Sequence, residues 1–284
     1  MTILLNIINK LFPMLLSFML MFTGGLNNAF NGEIYAYDSI DEVIGIETLA
    51  RSQDVTTDGT NWYYSGKNYL EKVSLDNETV LKINMEAIPA ELSENYNSQH
   101  IGGISYYNGY IYAAVEDSKQ WNHPLVVVYD ANTLEFTGTF YEMSPERHTR
   151  GIPWLFVDGE NGVLYAGDSA NYVDIFMYDL ETMEYIGVLS CKEEIAKIQG
   201  GEYYNGKLYL GTNDMTRAVY TVDCKTGEVE KLFDRIMYEY KLIDNLGGEG
   251  EGLTILPMAD GTLIHTLQVG TLFIDSSLRH YSWK

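Results

Sequence analysis

The sequence predicts an all-β fold of tandem four-stranded sheet units, five of them in the preferred count and six in the alternative. Three observations predict it. An Asp-Gly or Asn-Gly pair recurs as Asp58-Gly59, Asn108-Gly109, Asp158-Gly159, Asn205-Gly206 and Asp260-Gly261, at steps of 50, 50, 47 and 55 residues. Each pair is followed by a β-rich run, such as Trp62-Tyr63-Tyr64, Tyr110-Ile111-Tyr112 or Leu208-Tyr209-Leu210, which is the pattern of a tight hairpin. A second marker, Asp76, Asp130, Asp179, Asp223 and Asp275, follows each pair after 15 to 22 residues. An Asp that bonds to the backbone two residues on, followed by Thr or Gly, makes another tight turn. Sheet units of this length repeated in tandem form the blades of a β-propeller.

Taken in chain order, residues 1–31 stand apart. They hold no acid, one base (Lys10), and an apolar run over 11–22 that ends in Thr23-Gly24-Gly25. That run is shorter than the roughly 20 residues a membrane-spanning helix needs, and its order of charge, apolar core and small residues reads as a signal peptide. The alternative is a retained anchor helix. A secreted or cell-envelope location follows, with residues 32–284 as a single propeller domain. The blades are expected over 51–84, 98–141, 149–190, 198–233 and 249–284. Helix-like connections are expected at 88–96, 192–197 and 233–244. The strand-like run at 33–37 either closes the ring or begins a sixth, incomplete blade. The 23 Tyr suit half-buried strands and sheet packing.

Composition excludes some functions. With 18 Lys+Arg against 40 Asp+Glu the formal charge is −22. A grip on nucleic acid or anionic lipid rests on basic residues neutralising phosphate, so neither is an expected partner. Two cysteines, Cys191 and Cys224, are too few for a disulfide scaffold or a Cys-rich zinc site. They pair in an oxidising compartment or stay free. Asn77-Glu78-Thr79 fits a glycosylation acceptor. No phosphate-binding loop, nucleophile elbow or zinc-protease motif is present.

Antiparallel strands running outward from an axis bring the start of every first strand, and every loop between second and third strands, to one end of a central channel. The polar residues at those starts are Gln53, Asp54, His100, Arg150, Gln199, Glu202, Glu249 and Glu251. The middle loops add Glu116, Asp117, Asp168, Asn213, Asp214 and Gln268, and Trp121, His123 and Trp154 supply apolar walls. Crowded carboxylates repel unless a cation or protons neutralise them. Ca²⁺ held by Asp54, Glu202 and Glu251 is therefore an expectation, with solvated acids as the alternative. Glu251, flanked by glycines, is the favoured acid. Arg150 pairs with Glu251 or clamps a ligand carboxylate. His100 is a candidate proton shuttle, or a His bonded to backbone at a strand start. His148 is expected to be a solvated loop residue.

The stretch from Ser52 to Ser276 resembles the glutamine cyclotransferase family of secreted five-bladed propellers. Ser52-Gln53-Asp54-Val55 stands where that family opens a blade with Thr-Gln-Gly-Leu, and Glu202-Tyr203 matches a Glu-Tyr before a later Asn-Gly turn. The family's next blade carries Gly-Glu-Gly-Leu-Thr with a Glu that serves acid–base chemistry, whereas this chain has Gly102 there. The same string occurs in the last blade, from Gly250 to Thr254. A weaker likeness is to calcium-dependent lactonase-type propellers. A purely structural envelope module is one reading, and two further function classes follow. One is a monomeric exported protein binding a small molecule, glycan or peptide through Gln53, Arg150, Gln199, Trp121 and Trp154. The other is an enzyme, a metal-assisted hydrolase or a cyclotransferase, with Glu251 or Glu202 as general acid or base and His100 in support.

Overall fold

The computed structural model describes residues 35–117, 120–235, 248–270 and 273–283. The expected signal peptide at 1–31 lies outside the described residues. Twenty strands form five separate four-stranded antiparallel sheets. The first blade contains β2 (Asp54–Thr57), β3 (Asn61–Gly66), β4 (Tyr69–Ser74) and β5 (Val80–Asn84). The second contains β6 (His100–Tyr107), β7 (Tyr110–Glu116), β8 (Leu125–Asp130) and β9 (Phe136–Glu142). The third contains β10 (Leu155–Asp158), β11 (Val163–Asp168), β12 (Asn171–Asp179) and β13 (Tyr185–Ser190). The fourth contains β14 (Ile198–Tyr204), β15 (Lys207–Thr212), β16 (Ala218–Asp223) and β17 (Val229–Asp234). The fifth contains β18 (Glu249–Ile255), β19 (Thr262–Val269) and β20 (Asp275–Trp283), and its outer strand is β1 (Tyr35–Ile44) from the other end of the chain. The run around 33–37 therefore closes the ring, and the count is five.

Each first-to-second-strand hairpin turns at the predicted pair. Asn108-Gly109 and Asn205-Gly206 place both residues at positive φ (48° and 86°, 51° and 81°), the conformation that matches the twist of the flanking strands. The second markers also act as read. Asp130 Oδ1 accepts the N–H groups of Asn132 and Thr133, Asp179 those of Glu181 and Thr182, and Asp223 those of Lys225 and Thr226. Asp275 differs, because it begins β20 instead of ending it. A blade whose outer strand arrives from the other terminus needs no third-to-fourth turn.

The first strands pack in a closed ring, β2 beside β6, β6 beside β10, β10 beside β14, β14 beside β18 and β18 beside β2. Hydrogen bonds stitch it. Gly103 N donates to Pro153 O at 3.1 Å and Gly252 N to Gln53 O at 3.2 Å. The apolar core is divided among the five seams between blades, since each inner sheet has two buried faces. Tyr63, Leu70, Ile101 and Ile104 fill the first seam, and Val55, Trp62, Leu267 and Leu278 fill the last, where the ends of the chain meet.

Connections differ from the sequence reading in three places. The expected helix at 88–96 is present as α1 (Ala90–Tyr96). The one at 192–197 is not helical, because its amides serve neighbouring segments, Lys192 N bonding Gly227 O and Ile195 N bonding Tyr172 O. Of 233–244, Phe233 and Asp234 complete β17 and residues 236–244 lie outside the described residues. A 3-10 helix at Ile46–Ala50, not anticipated, links β1 to the first blade.

Candidate functional site

Asp54 sits on the propeller axis and is 1% exposed. Its Oδ2 accepts Ile104 N from the second blade at 2.8 Å, and its Oδ1 accepts Val55 N at 2.8 Å. A Cβ built on Gly252 would lie 1.7 Å from Asp54 Oδ1 and 2.7 Å from Asp54 Cα, and one on Gly200 would lie 2.7 Å from the same oxygen. One carboxyl thus occupies space left by two missing side chains of the fourth and fifth blades. This is why Gly recurs at strand starts on a narrow axis.

Acids are strung along that axis. Burial pushes the Asp54 carboxyl well above the usual carboxylate range, and Glu202 adds to the rise against backbone N–H donors. Burial pushes Glu202 up to about 8, opposed by a hydrogen bond from Thr254 Oγ1 (3.1 Å) and reinforced by Asp158. Glu251 is buried and its carboxyl is held well above the usual range by burial, then by the charge of Glu249 and a hydrogen bond to it, with Asp54 adding a smaller push. Glu249 and Glu251, two residues apart, thus face each other at the start of β18.

The base beside Glu251 is Arg235, not Arg150. Arg235 is buried and spends its guanidinium on backbone: Nη1 on Glu251 O (3.0 Å) and Leu267 O (3.1 Å), Nε on Arg217 O (2.8 Å), and Nη2 on Thr212 O. Arg150 lies exposed on the third blade, 6.0 Å from the Trp121 ring. Sequence reasoning missed Arg235 because it falls at the end of an outer strand, outside the repeat positions searched; a lone base just after β17 in so acidic a chain was the available signal.

The remaining expected residues fall into two groups on the same face. In the first, Gln53 Nε2 donates to Ser52 O at 2.8 Å, which orients its Oε1 toward His100 Nε2 at 2.8 Å. His100 Nε2 therefore carries a hydrogen. His100 Nδ1 lies 3.3 Å from Glu116 Oε1. Glu116 Oε2 is buried without a hydrogen-bond partner, under Gly151 and Trp121. A side chain at Gly151 would be strained at φ +74° and would displace the Glu116 carboxylate, since a Cβ would lie 1.7 Å from Oε2. Asp117 caps the loop, accepting the amides of Gln120, Trp121 and Asn122.

In the second group, Trp154 and Gln199 line a cavity of about 90 Å³ together with Lys197, Asp168, Asn171 and Tyr172. Trp154 is 2% exposed and stacks on Phe156 at 5.6 Å, so it is a core residue with one edge on the cavity. Asp168 accepts Thr149 N (2.6 Å), Thr149 Oγ1 (2.8 Å) and Ala170 N (2.6 Å). Lys197 is the cation on the wall.

Two expectations change. His148 is buried, not solvated: Nδ1 meets Gly167 O at 2.8 Å and Nε2 meets Tyr178 Oη at 2.7 Å, and burial pushes its imidazole down to about 4. Its side chain turns inward because those two partners satisfy both ring nitrogens. Asn77 of the glycosylation-type motif commits its amide to Asp41, Arg51 and Tyr64. Cys191 and Cys224 are free thiols. Among the described residues no group of three His, Cys, Asp or Glu side chains is placed to hold a metal ion. The calcium expectation thus rests on the sequence alone. Among the same residues no helix is long and apolar enough to cross a membrane.

No protein-family model matches the sequence, and no curated protein matches it. Among solved structures, the chain is similar to the crystal structure of Myxococcus xanthus glutaminyl cyclase, with a TM-score of 0.60 over 88% of this chain and 97% of that one, at 13% identity. At that identity the likeness is one of fold. In fold, the chain is a five-bladed β-propeller similar to that of the glutaminyl cyclase.

Proposed function

We propose that this chain is an exported propeller that binds a small molecule, glycan or peptide on the face where the first strands begin. The observation that carries the reading is the cavity between the third and fourth blades, whose lining includes Trp154, Gln199 and Lys197. An apolar wall with a few placed polar groups is the usual make-up of a ligand site. Lys197 is the cationic residue of the lining, which makes a ligand with an anionic end, such as a carboxylate, the first to try. Titration calorimetry with short peptides and acidic sugars tests this. Lys197→Ala and Gln199→Ala should weaken binding of a carboxylate ligand about tenfold each, as expected for loss of a charge-assisted contact. Unchanged affinity in both variants would remove the cavity from the site.

A second reading is favoured by the Glu249–Glu251 pair. A buried carboxyl raised above the usual range beside an exposed carboxylate is an arrangement suited to general acid–base chemistry. The fold likeness to a glutaminyl cyclase makes peptides with an N-terminal glutamine the first substrates to try. In that chemistry the pair would move a proton from the attacking amine to the departing ammonia. The acid cannot be at the position given by the second blade, since a Cβ on Gly102 would lie 2.7 Å from Pro153 O. Glu251→Gln should abolish turnover while preserving the fold, whereas a binding protein would show no turnover to lose.

A further inference from the structure

At the seam where the chain's ends meet, His265 of β19 and His280 of β20 face each other with their Nδ1 atoms 2.6 Å apart. Their other nitrogens are anchored. His265 Nε2 lies 2.9 Å from Leu256 O, and His280 Nε2 lies 3.1 Å from Asp41 Oδ2 on the closing strand β1. A carbonyl oxygen only accepts, so His265 Nε2 carries a hydrogen. Asp41 also accepts the amide of Asn77 at 3.2 Å, and against the cost of its partial burial these bonds and the charge of His280 hold it below the usual carboxylate range. Asp41 is therefore a carboxylate, and His280 Nε2 carries a hydrogen as well. The 2.6 Å contact between the Nδ1 atoms then requires one proton between two nitrogens. Three N–H groups on four ring nitrogens leave the pair with a single positive charge shared between the rings.

We propose that this shared proton is a latch that holds the closing strand β1 onto the last blade and makes ring closure dependent on pH. The latch spans β1, β19 and β20, and reaches the first blade through Asn77, whose Oδ1 accepts Arg51 Nη1 (3.0 Å) and Tyr64 Oη (3.1 Å). Arg51 in turn donates to Glu71 at 2.5 Å. The ring of Trp62 covers both imidazoles, 4.9 Å from His265 and 6.2 Å from His280, so water cannot replace the lost bonds cheaply. The charged and titratable groups facing the pair are Asp41 from β1, Asp260 from the β18–β19 turn, and Arg51, Tyr64 and Glu71 from the first blade's side.

The latch opens in both directions. Removing the shared proton sets two lone pairs against each other, and any tautomer that relieves them gives up Leu256 O or Asp41. Adding a proton to the remaining nitrogen sets two N–H groups head-on. Burial, with the charge of His280, holds His265 down to about 4, which places the acid limit.

Two measurements on the full chain test it. In ¹⁵N-histidine NMR near neutral pH, three of the four ring nitrogens of His265 and His280 should be protonated. Two protonated nitrogens, one per ring, would overturn the shared proton. Amide-exchange protection of β1, corrected for intrinsic rate and referenced to the outer strand β13, should fall about tenfold on each side of a pH window and be flat in His280→Gln. Should His280→Gln fail to fold, Asp41→Asn replaces it with the same expectation. A β1 profile that is the same in the wild type and the variant would overturn the latch.

Discussion

Single residues decide how tightly the axis can close. Asp54 fills it because Gly200 and Gly252 leave room, and a methyl group at 252 would meet both the Asp54 carboxyl and its Cα. The carboxyl could rotate away from such a methyl, but the Asp54 backbone could not move without opening the β2–β18 junction. Gly252→Ala is therefore expected to destabilise the fold by about 3 kcal/mol, at the upper end of overpacking effects, read as a lower urea midpoint. Gly59→Ala supplies the contrast. No atom lies within 4 Å of a Cβ there, so its cost comes from the positive φ of 83° alone. A Gly252→Ala variant no less stable than Gly59→Ala would show that the axis has slack.

Among elements, the hairpin turns and the closing strand do different work. Gly206 adopts φ +81° between β14 and β15, a conformation that costs a residue with a Cβ about 1–2 kcal/mol. Gly206→Ala should lower the unfolding midpoint accordingly, and Asn205→Gly should leave it nearly unchanged, because Gly also accepts the positive φ. If Gly206→Ala matches the wild type, the turn is not holding the register of the fourth blade. This much was legible in advance: the Asn-Gly and Asp-Gly pairs named the hairpins because turn chemistry is local. Asp275 was misplaced in the reading because the fourth strand of its blade arrives from the opposite terminus, and no short-range pattern records that.

For the whole molecule, the buried acids set the response to pH. Glu202 has a folded-state value of about 8 against an ordinary 4.5, so the folded state holds a proton that the unfolded state releases between those values. The contribution is full below the unfolded value and is lost as pH rises through the folded one. Stability should therefore decline from about pH 5 to pH 8 on account of Glu202, and Asp54 and Glu251, raised in the same direction, contribute with the same sign. The turn acid Asp58, held down to about 2, acts in the opposite sense, stabilising above pH 4 and losing its contribution as pH falls through about 2. Urea titrations at several pH values should show Glu202→Gln with a flatter slope between pH 5 and 8. An identical slope would mean that Glu202 is solvated and ionised in the fold.

By itself, the amino-acid sequence determined the repeated four-stranded units and the turns that bound their strands, leaving the count at five or six, because alternation and turn preference act within a few residues. Only the tertiary structure decided which residues meet. It put Arg235 rather than Arg150 beside Glu251, separated Gln53 and His100 from Trp154 and Gln199, buried His148, and joined His265, His280 and Asp41 across more than two hundred residues. Those pairings depend on how far each blade is rotated about the axis and on which atoms fill the seams between blades. That geometry is set by long-range packing, which leaves no periodic mark in the chain.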